Sequence, residues 1–201
     1  HIIGTWGTSR NITQLKRAEE ELQRLNRELQ EANQRLEILS TRDSLSGLYN
    51  HRHFFDNLNI QKNIEFRQKD HGVNTEFSIL LLDIDYFKKI NDTYGHLIGD
   101  SIIKSLSDIF TKSTRLIDTC YRIGGDEFAI LLINTDLSSA HVVAEKIRKF
   151  VEEFEFNVND LTLRTTLSIG VASSRETETI KELVSLADSR LYYSKEHDRN
   201  Q

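Results

Sequence analysis

Between residues 15 and 39 the apolar positions recur at alternating intervals of three and four: Leu15, Ala18, Leu22, Leu25, Leu29, Ala32, Leu36 and Leu39. The segment LKRAEEELQRLNRELQEANQRLEIL contains no glycine or proline, and the residues around its stripe are charged or carry amides. That a/d pattern predicts an α-helix over 15–40. A stripe this narrow suits the seam of a parallel two-stranded coiled coil better than a face docked on a globular core, which is the plainer alternative. At the α-helical rise it would run about 37 Å. Residues 1–14, HIIGTWGTSRNITQ, alternate only weakly, end in a polar turn and are too few to fold alone. The stretch STRDSLSGLYN then breaks the heptads with Ser, Asp and Gly, placing a domain boundary near residue 41.

Beyond 41 the period changes repeatedly. The pattern predicts a helix over 51–69, a strand FSILLLDI over 77–84, and a short helix at about 86–92. A glycine-punctuated stretch, TYGHLIGD, leads to a helix from 100 to about 113. Strands at 118–123 and 127–133 flank Gly124-Gly125, followed by a helix at 137–154, a strand at 163–172 and a helix at 179–197. The run Ile79-Leu80-Leu81-Leu82 has no polar alternation, so the strand belongs in the middle of the sheet. A Gly-Gly pair between strands favours a tight hairpin, because glycine accepts positive φ without steric cost. The order β-α-β-β-α-β predicts an α+β fold of ferredoxin-like type. It is a split βαβ sandwich with helices on one face of a mostly antiparallel sheet.

Composition narrows the function classes. The 201 residues carry 38% hydrophobic and 28% charged side chains and a net charge of −5. That balance gives no electrostatic footprint for nucleic acid or an anionic membrane. No apolar run reaches the length of a membrane helix, so no membrane contact is expected within these residues. The single cysteine, Cys120, excludes an intramolecular disulfide, and its apolar flanks suit a buried inert thiol. A reducing, cytoplasmic location follows as an expectation. The chain starts at His1 rather than Met and is expected to be a fragment, with a sensor or membrane tether upstream left open.

The candidate chemistry lies where the strands end. Asp83 closes the apolar run of 77–84, and Asp126 and Glu127 open the next buried strand after the two glycines. In a split βαβ arrangement these ends adjoin. Converging carboxylates repel one another unless protonated or bound to a cation. Oxygen ligands without a His/Cys pattern favour Mg²⁺ or Mn²⁺ over zinc, and magnesium completes its shell with phosphates and water. Two plainer roles compete: Asp85 as the N-cap of the helix YFKKI, and a cross-strand pair between Arg122 and Glu127.

These residues resemble a known family. GGDEF at 124–128 is similar to the signature of the diguanylate cyclases, and RDSLSGLYN at 42–50 to that family's opening D-x-L-T-G-L-x-N motif, with Ser46 in place of Thr. DIDYFKKINDTYGHLIGD at 83–100, LSIGVA and ADSRLYYSKEHDRN resemble three further motifs, with Asp198 where glycine is usual. The resemblance covers 41–201. It implies the palm-like sheet of nucleotide cyclases and polymerases, and the condensation of two GTP into 3′,5′-cyclic di-GMP with release of two pyrophosphates.

Carried over residue by residue, the resemblance gives Asp83, Asp126 and the Ile84 carbonyl to Mg²⁺, with Glu127 assisting. Asp126, helped by Glu127, would also activate the ribose 3′-hydroxyl. Asn91 and Asp100 resemble the guanine readers, a pairing whose donors and acceptors suit the base edge. His96 is a weaker substrate candidate beside Gly95. The backbone N–H groups of Phe87 and Lys88 suit the terminal phosphates, and Lys195 and Arg199 add cationic contacts. Gly124 and Gly125 leave room for the nucleotide, and a Cβ at Gly125 is expected to damage both turn and site.

The tetrapeptide RLID, Arg115 to Asp118, resembles the family's inhibitory product site, with Lys146 as a secondary basic contact; the plainer reading is a surface i,i+3 ion pair. The resemblance also explains the heptads, since one domain presents one GTP while the product holds two nucleotides. A homodimer through the coiled coil supplies the second copy. GTSRNIT is similar to the tail of a PAS sensor domain, so 1–14 read as the remnant of one. Two alternatives remain beside the cyclase: a non-catalytic receptor for GTP or cyclic di-GMP, and a dimerisation module whose acids only solvate a hairpin.

Overall fold

The computed structural model describes residues 16–17, 19–31, 40–70, 75–158, 161–197 and 199–200. They fall into two units, divided after Ser40. In the first unit residues 16–17 and 19–31 are helical. The described seam leucines Leu22, Leu25 and Leu29 are 59%, 50% and 59% exposed. The other heptad positions (Leu15, Ala18, Ala32, Leu36, Leu39) and residues 1–14 lie outside the described residues.

The second unit is built on β2 (Phe77–Ile84), an eight-residue strand in which every position is buried. It pairs antiparallel with β4 (Glu127–Ile133) on one side and β7 (Leu167–Ser173) on the other. β3 (Thr119–Arg122) joins β4 antiparallel, and the two-residue β1 (Tyr49–Asn50) joins β3 in parallel. The sheet order is therefore β1-β3-β4-β2-β7. The mostly antiparallel α+β architecture expected from the sequence is present.

Both faces of this sheet are covered, which corrects the one-sided arrangement. Leu80, Leu82 and Ile84 pack with Ile102, Leu106 and Phe110 of α3 (His96–Ser113) and with Ile147 and Val151 of α4 (Leu137–Glu153). The alternate residues Phe77, Ile79 and Leu81 pack with Phe54 and Leu58 of α1 (His51–Asp70) and with Leu183, Ala187 and Leu191 of α5 (Ile180–Glu196). An unalternating strand has an apolar residue for each face, and each needs a helix above it. α5 approaches β7 so closely that a Cβ on Gly170 would lie 2.0 Å from the Ala187 carbonyl oxygen.

Three boundaries differ from the sequence reading. The short helix α2 runs Phe87–Tyr94, and α3 starts at His96 rather than 100, because Gly95, at φ 85°, is the only break the chain needs. The strand expected over 163–172 divides. Its first part belongs to a separate two-stranded hairpin of β5 (Phe156–Val158) and β6 (Leu161–Leu163), and its second part is β7. Between them Thr165 and Thr166 are held by Asp85: the Asp85 N–H donates to the Thr166 carbonyl (3.0 Å) and the Thr165 hydroxyl to the Asp85 carbonyl (3.2 Å). The helix starts follow standard chemistry: Asp136 accepts from the Ser139 N–H at α4, and Thr179 and Glu182 form a reciprocal capping box at α5.

Candidate active site

The ends of β2 and β4 meet. Asp83 stands directly opposite Glu127 in the antiparallel register, so the two side chains share a face of the sheet. One residue further, the Ile84 N–H donates to the Asp126 carbonyl at 3.3 Å, tying the end of β2 to the hairpin tip. The tip is closed by the N–H groups of Ile123 and Gly124, both donating to the Glu127 carbonyl at 2.9 and 3.2 Å. The expected positive φ is absent: among the described glycines only Gly47 and Gly95 adopt it. Gly124 acts through space instead, since a Cβ there would lie 2.4 Å from a Glu127 carboxylate oxygen. Gly125 is exposed with nothing within 4 Å of a built Cβ, so its replacement is not expected to harm the turn.

Arg122 does not pair with Glu127. Its guanidinium bonds Asp43 at 2.9 Å and the Gly125 carbonyl at 2.7 and 3.2 Å, joining the start of the domain to the tip. Asp43 is held below the usual carboxylate range; burial opposes this shift, while hydrogen bonds from Ser46 and Arg122 drive it. With Arg122 engaged there, Glu127 is left exposed beside Asp83.

Asp83 is 7% exposed. Burial, with smaller contributions from the negative charges of Asp126 and Glu127, pushes its carboxyl up to about 6, although Lys195 Nζ lies 2.7 Å away. One ammonium therefore does not compensate this carboxylate fully. Among the described residues no group of three or more His, Cys, Asp or Glu side chains is gathered into a cage for an ion. A hard dication needing one or two carboxylates, with phosphate and water oxygens completing its shell, fits this donor set.

α2 starts without a side-chain cap. Asp85 was the expected N-cap, but that position is taken by Tyr86 in the left-handed region (φ 57°), and no side chain caps the helix. Asp85 is instead turned to β7, accepting from the hydroxyls of Thr166 and Ser168. At the start of α2 Phe87 is buried and Lys88 exposed. On its inner side Asn91 Oδ1 is buried with no hydrogen-bond partner. It lies so close to α3 that a Cβ on Gly99 would be 2.0 Å from it. Asp100 follows Gly99 and is half-buried, whereas His96 is exposed. Lys195 reaches Asp83 from the last turn of α5, while Arg199 lies 3.8 Å from Asp85.

The remaining sequence candidates sit elsewhere. Arg115 and Asp118 close the turn between α3 and β3, but not as the ion pair of the plainer reading. The Arg115 N–H donates to Asp118 Oδ2 (3.0 Å), the Asp118 N–H returns to the Arg115 carbonyl (3.0 Å), and Asp118 Oδ1 accepts from Ile133 N–H (3.2 Å). The Arg115 side chain is left outward beside Leu116, which is fully exposed. Lys146 is exposed on α4, with no hydrogen bond or ion pair to that turn among the described residues. Cys120 is buried, and burial raises its thiol to about 11, as expected of an inert thiol. A recess of about 510 Å³ along the free edge of β7, lined by His141, Arg148, Arg190 and Tyr193 among others, contains none of the tip acids.

The family model described as the diguanylate cyclase, GGDEF domain, matches residues 40–201. The chain belongs to this family. The GGDEF domain is 47% identical over 124 residues to diguanylate cyclase A of Treponema denticola, covering 61% of this chain and 33% of that protein. It is 36% identical over 191 residues to diguanylate cyclase DgcM of Escherichia coli, covering 94% and 41%. The chain thus spans between a third and about two-fifths of these curated relatives. Among solved structures, the coiled coil and GGDEF domain of DgcB from Caulobacter crescentus, in complex with c-di-GMP, superposes with a TM-score of 0.80 at 26% identity. It covers 94% of this chain and 96% of that one. Diguanylate cyclase SiaD from Pseudomonas aeruginosa, in complex with its activator SiaC, gives 0.75 at 33% identity, covering 96% and 74%. The sequence reading passed over Asp43 and the outer partners of Asp85; the motif RDSLSGLYN, with its acid directly after Arg42, was the available signal for the first.

Proposed function

We propose that the chain is a Mg²⁺-dependent diguanylate cyclase that condenses two GTP molecules into 3′,5′-cyclic di-GMP. Each ribose 3′-oxygen forms a bond to the partner's α-phosphorus, each α–β phosphoanhydride bond breaks, and two pyrophosphates and two hydroxyl protons leave. The observation that carries this reading is the buried Asp83, held near 6 opposite Glu127 and beside Asp126, with Lys195 its one ion-pair partner among the described residues.

Asp83, Asp126 and the Ile84 carbonyl would hold Mg²⁺, or Mn²⁺, with Glu127 assisting. When bound, such an ion neutralises the triphosphate and the charge developing on the transferred phosphoryl group. Asp126, with Glu127, accepts the 3′-hydroxyl proton. Asn91 and Asp100 take the guanine edge: the orphaned Asn91 Oδ1 needs a donor, and the base supplies two. His96, exposed at the start of α3, remains a peripheral contact in this reading. The uncapped start of α2 offers the N–H groups of Phe87 and Lys88 to the terminal phosphates, where Lys195 and Arg199 add positive charge. Gly124 and Gly125 keep the approach to the tip clear.

Two nucleotide-loaded domains must meet face to face. The exposed Leu22, Leu25 and Leu29 support a homodimer through the N-terminal helix, which would raise the effective concentration of partner domains to roughly the millimolar range. Product inhibition through Arg115, Asp118 and Lys146 belongs to the same reading, supported by the outward Arg115 side chain; so does a cytoplasmic location, where GTP is available and Cys120 stays reduced. The test is direct. Incubation with GTP and Mg²⁺ should yield cyclic di-GMP and pyrophosphate in a one-to-two ratio, and Asp126→Ala should abolish both while leaving the thermal transition in place. GTP binding without product would instead make the domain a receptor, and no binding a structural module.

A further inference from the structure

We propose that Asp85 and Tyr86 act as positioning residues that hold the Arg199 guanidinium at the terminal-phosphate end of the nucleotide site. The second acid of the Asp83-Ile84-Asp85 run thereby serves anion binding rather than the cation. The inference rests on the GTP-binding reading above and extends it to residues that no motif role covers.

Asp85 is 3% exposed, a burial that a carboxylate tolerates only with partners. It accepts from the hydroxyls of Thr166 and Ser168, from the backbone N–H of Asn200 at 3.2 Å, and lies 3.8 Å from Arg199 Nε. The two hydroxyls come from Thr166, just before β7, and from Ser168 within it, so the carboxylate is fixed from the sheet side and presents its remaining charge to the chain end. Arg199 is held from the other side as well. Its guanidinium carbon stands 4.4 Å over the Tyr86 ring, and Nη1 lies 3.4 Å from the Tyr86 hydroxyl. A cation clamped between a carboxylate and an aromatic face is restricted in direction without being consumed, since stacking leaves guanidinium N–H groups free to donate.

A second, independent observation points to the same place. Four described non-glycine residues adopt positive φ, and three of them are Tyr86 (57°), Arg199 (56°) and Asn200 (51°). Left-handed backbone is uncommon in such residues and persists where surrounding contacts over-determine it. All three flank the Asp85 carboxylate. Asn200 is fixed further by Arg148 Nη1, which donates to its Oδ1 (2.8 Å), and by Glu152 Oε1, which accepts from its Nδ2 (2.8 Å). The backbone on both sides of the ion pair is thus bent to bring Arg199 over Tyr86. Tyr86 is itself the residue before the uncapped first turn of α2, whose N–H groups are the other candidates for the phosphates.

The experiment compares equilibrium binding of GTP and of guanosine monophosphate to the full chain, wild type and variants, in Mg²⁺. Guanosine monophosphate reports the base site and the integrity of the fold, and the preference for GTP reports the grip on the terminal phosphates. Asp85→Asn, and separately Tyr86→Leu at an exposed position, should leave guanosine monophosphate affinity unchanged. Each should lower the GTP preference by roughly ten-fold, the scale of one charge-assisted contact. In an Arg199→Ala background neither change should lower it further. An unaltered preference in both single variants, or losses that simply add to that of Arg199→Ala, overturns the proposal. If Asp85→Asn does not fold, Tyr86→Leu alone decides it. Absence of cyclic di-GMP synthesis would refute the cyclase reading without touching this ratio.

Discussion

Replacing Asp83 by Asn removes the group whose titration distinguishes this site from an ordinary hairpin end. In the unfolded chain its carboxyl ionises near 3.8, and in the folded domain burial, with Asp126 and Glu127, moves that value to about 6. The folded state therefore binds the proton more tightly than the unfolded state. Stability attached to the protonated form is fully present below about pH 4. It is lost progressively as pH rises, and is gone above about pH 6, where both states are ionised. A gap of about two units corresponds to about 3 kcal/mol of destabilisation at neutral pH in the absence of a cation. An asparagine at this position has no such titration.

The quantity to measure is the stability difference between Asp83→Asn and wild type as a function of pH, by chemical or thermal unfolding in a chelator. Any constant offset from exchanging the amide for the carboxylate, or from releasing Lys195 to solvent, drops out of the slope. The variant should gain about 3 kcal/mol relative to wild type between about pH 4 and about pH 8. For a domain of this size that is a relative shift of roughly 6–12 °C in Tm. Adding Mg²⁺ at high pH should stabilise wild type more than the variant, because a bound dication relieves the same charge. A difference that stays flat across this range, or that moves in favour of wild type as pH rises, refutes the argument that uncompensated charge is stored at Asp83.

Other consequences follow from single contacts. Gly124→Ala should displace the Glu127 carboxylate, whose oxygen would lie 2.4 Å from the new Cβ, and lower turnover by about ten-fold or more; Gly125→Ala, with open space around it, should leave unfolding within about 0.5 kcal/mol of wild type. Gly170→Ala drives a methyl group into the Ala187 carbonyl and Leu191 and should cost about 3 kcal/mol or more, read from a urea midpoint. Inserting four residues into the heptads shifts the seam around the helix. It should reduce turnover per dimer, and unchanged dimerisation together with unchanged turnover would remove the coiled coil from the mechanism.

What was legible in the sequence depended on the range of the interaction that decides each feature. The strand at 77–84 was legible because burial on both faces writes itself into consecutive residues, Ile79 to Leu82. The same run already implied helices on two faces, which a one-sided sandwich leaves unexplained. Asp83 and Asp126 are read as neighbours because a split βαβ order sets the first strand beside the hairpin strands; in the register of β2 and β4 Asp83 stands against Glu127. Asp85 was misread as a helix cap because a cap is the local use of an acid at that place. Its actual partners, Thr166, Ser168 and Asn200, lie 81, 83 and 115 residues away, where no local rule reaches. The glycines of the tip are read through backbone freedom and room for the nucleotide, whereas the space Gly124 leaves is taken by the Glu127 carboxylate.

Asp83 and Asp85 are two residues apart and would share a face if the strand ran on, but β2 ends at Ile84 and the chain turns at the left-handed Tyr86, so the two acids enter different environments. Asp83 faces Glu127 and one lysine, and keeps charge in excess. Asp85 faces hydroxyls, a backbone N–H and Arg199, and has its charge absorbed. Asp83 is pushed up by burial and like charges, and so gains by meeting a cation. The division of labour is set by where β2 ends and the chain turns at Tyr86, and exchanging the partners of the two acids, rather than the acids themselves, would be needed to reverse it.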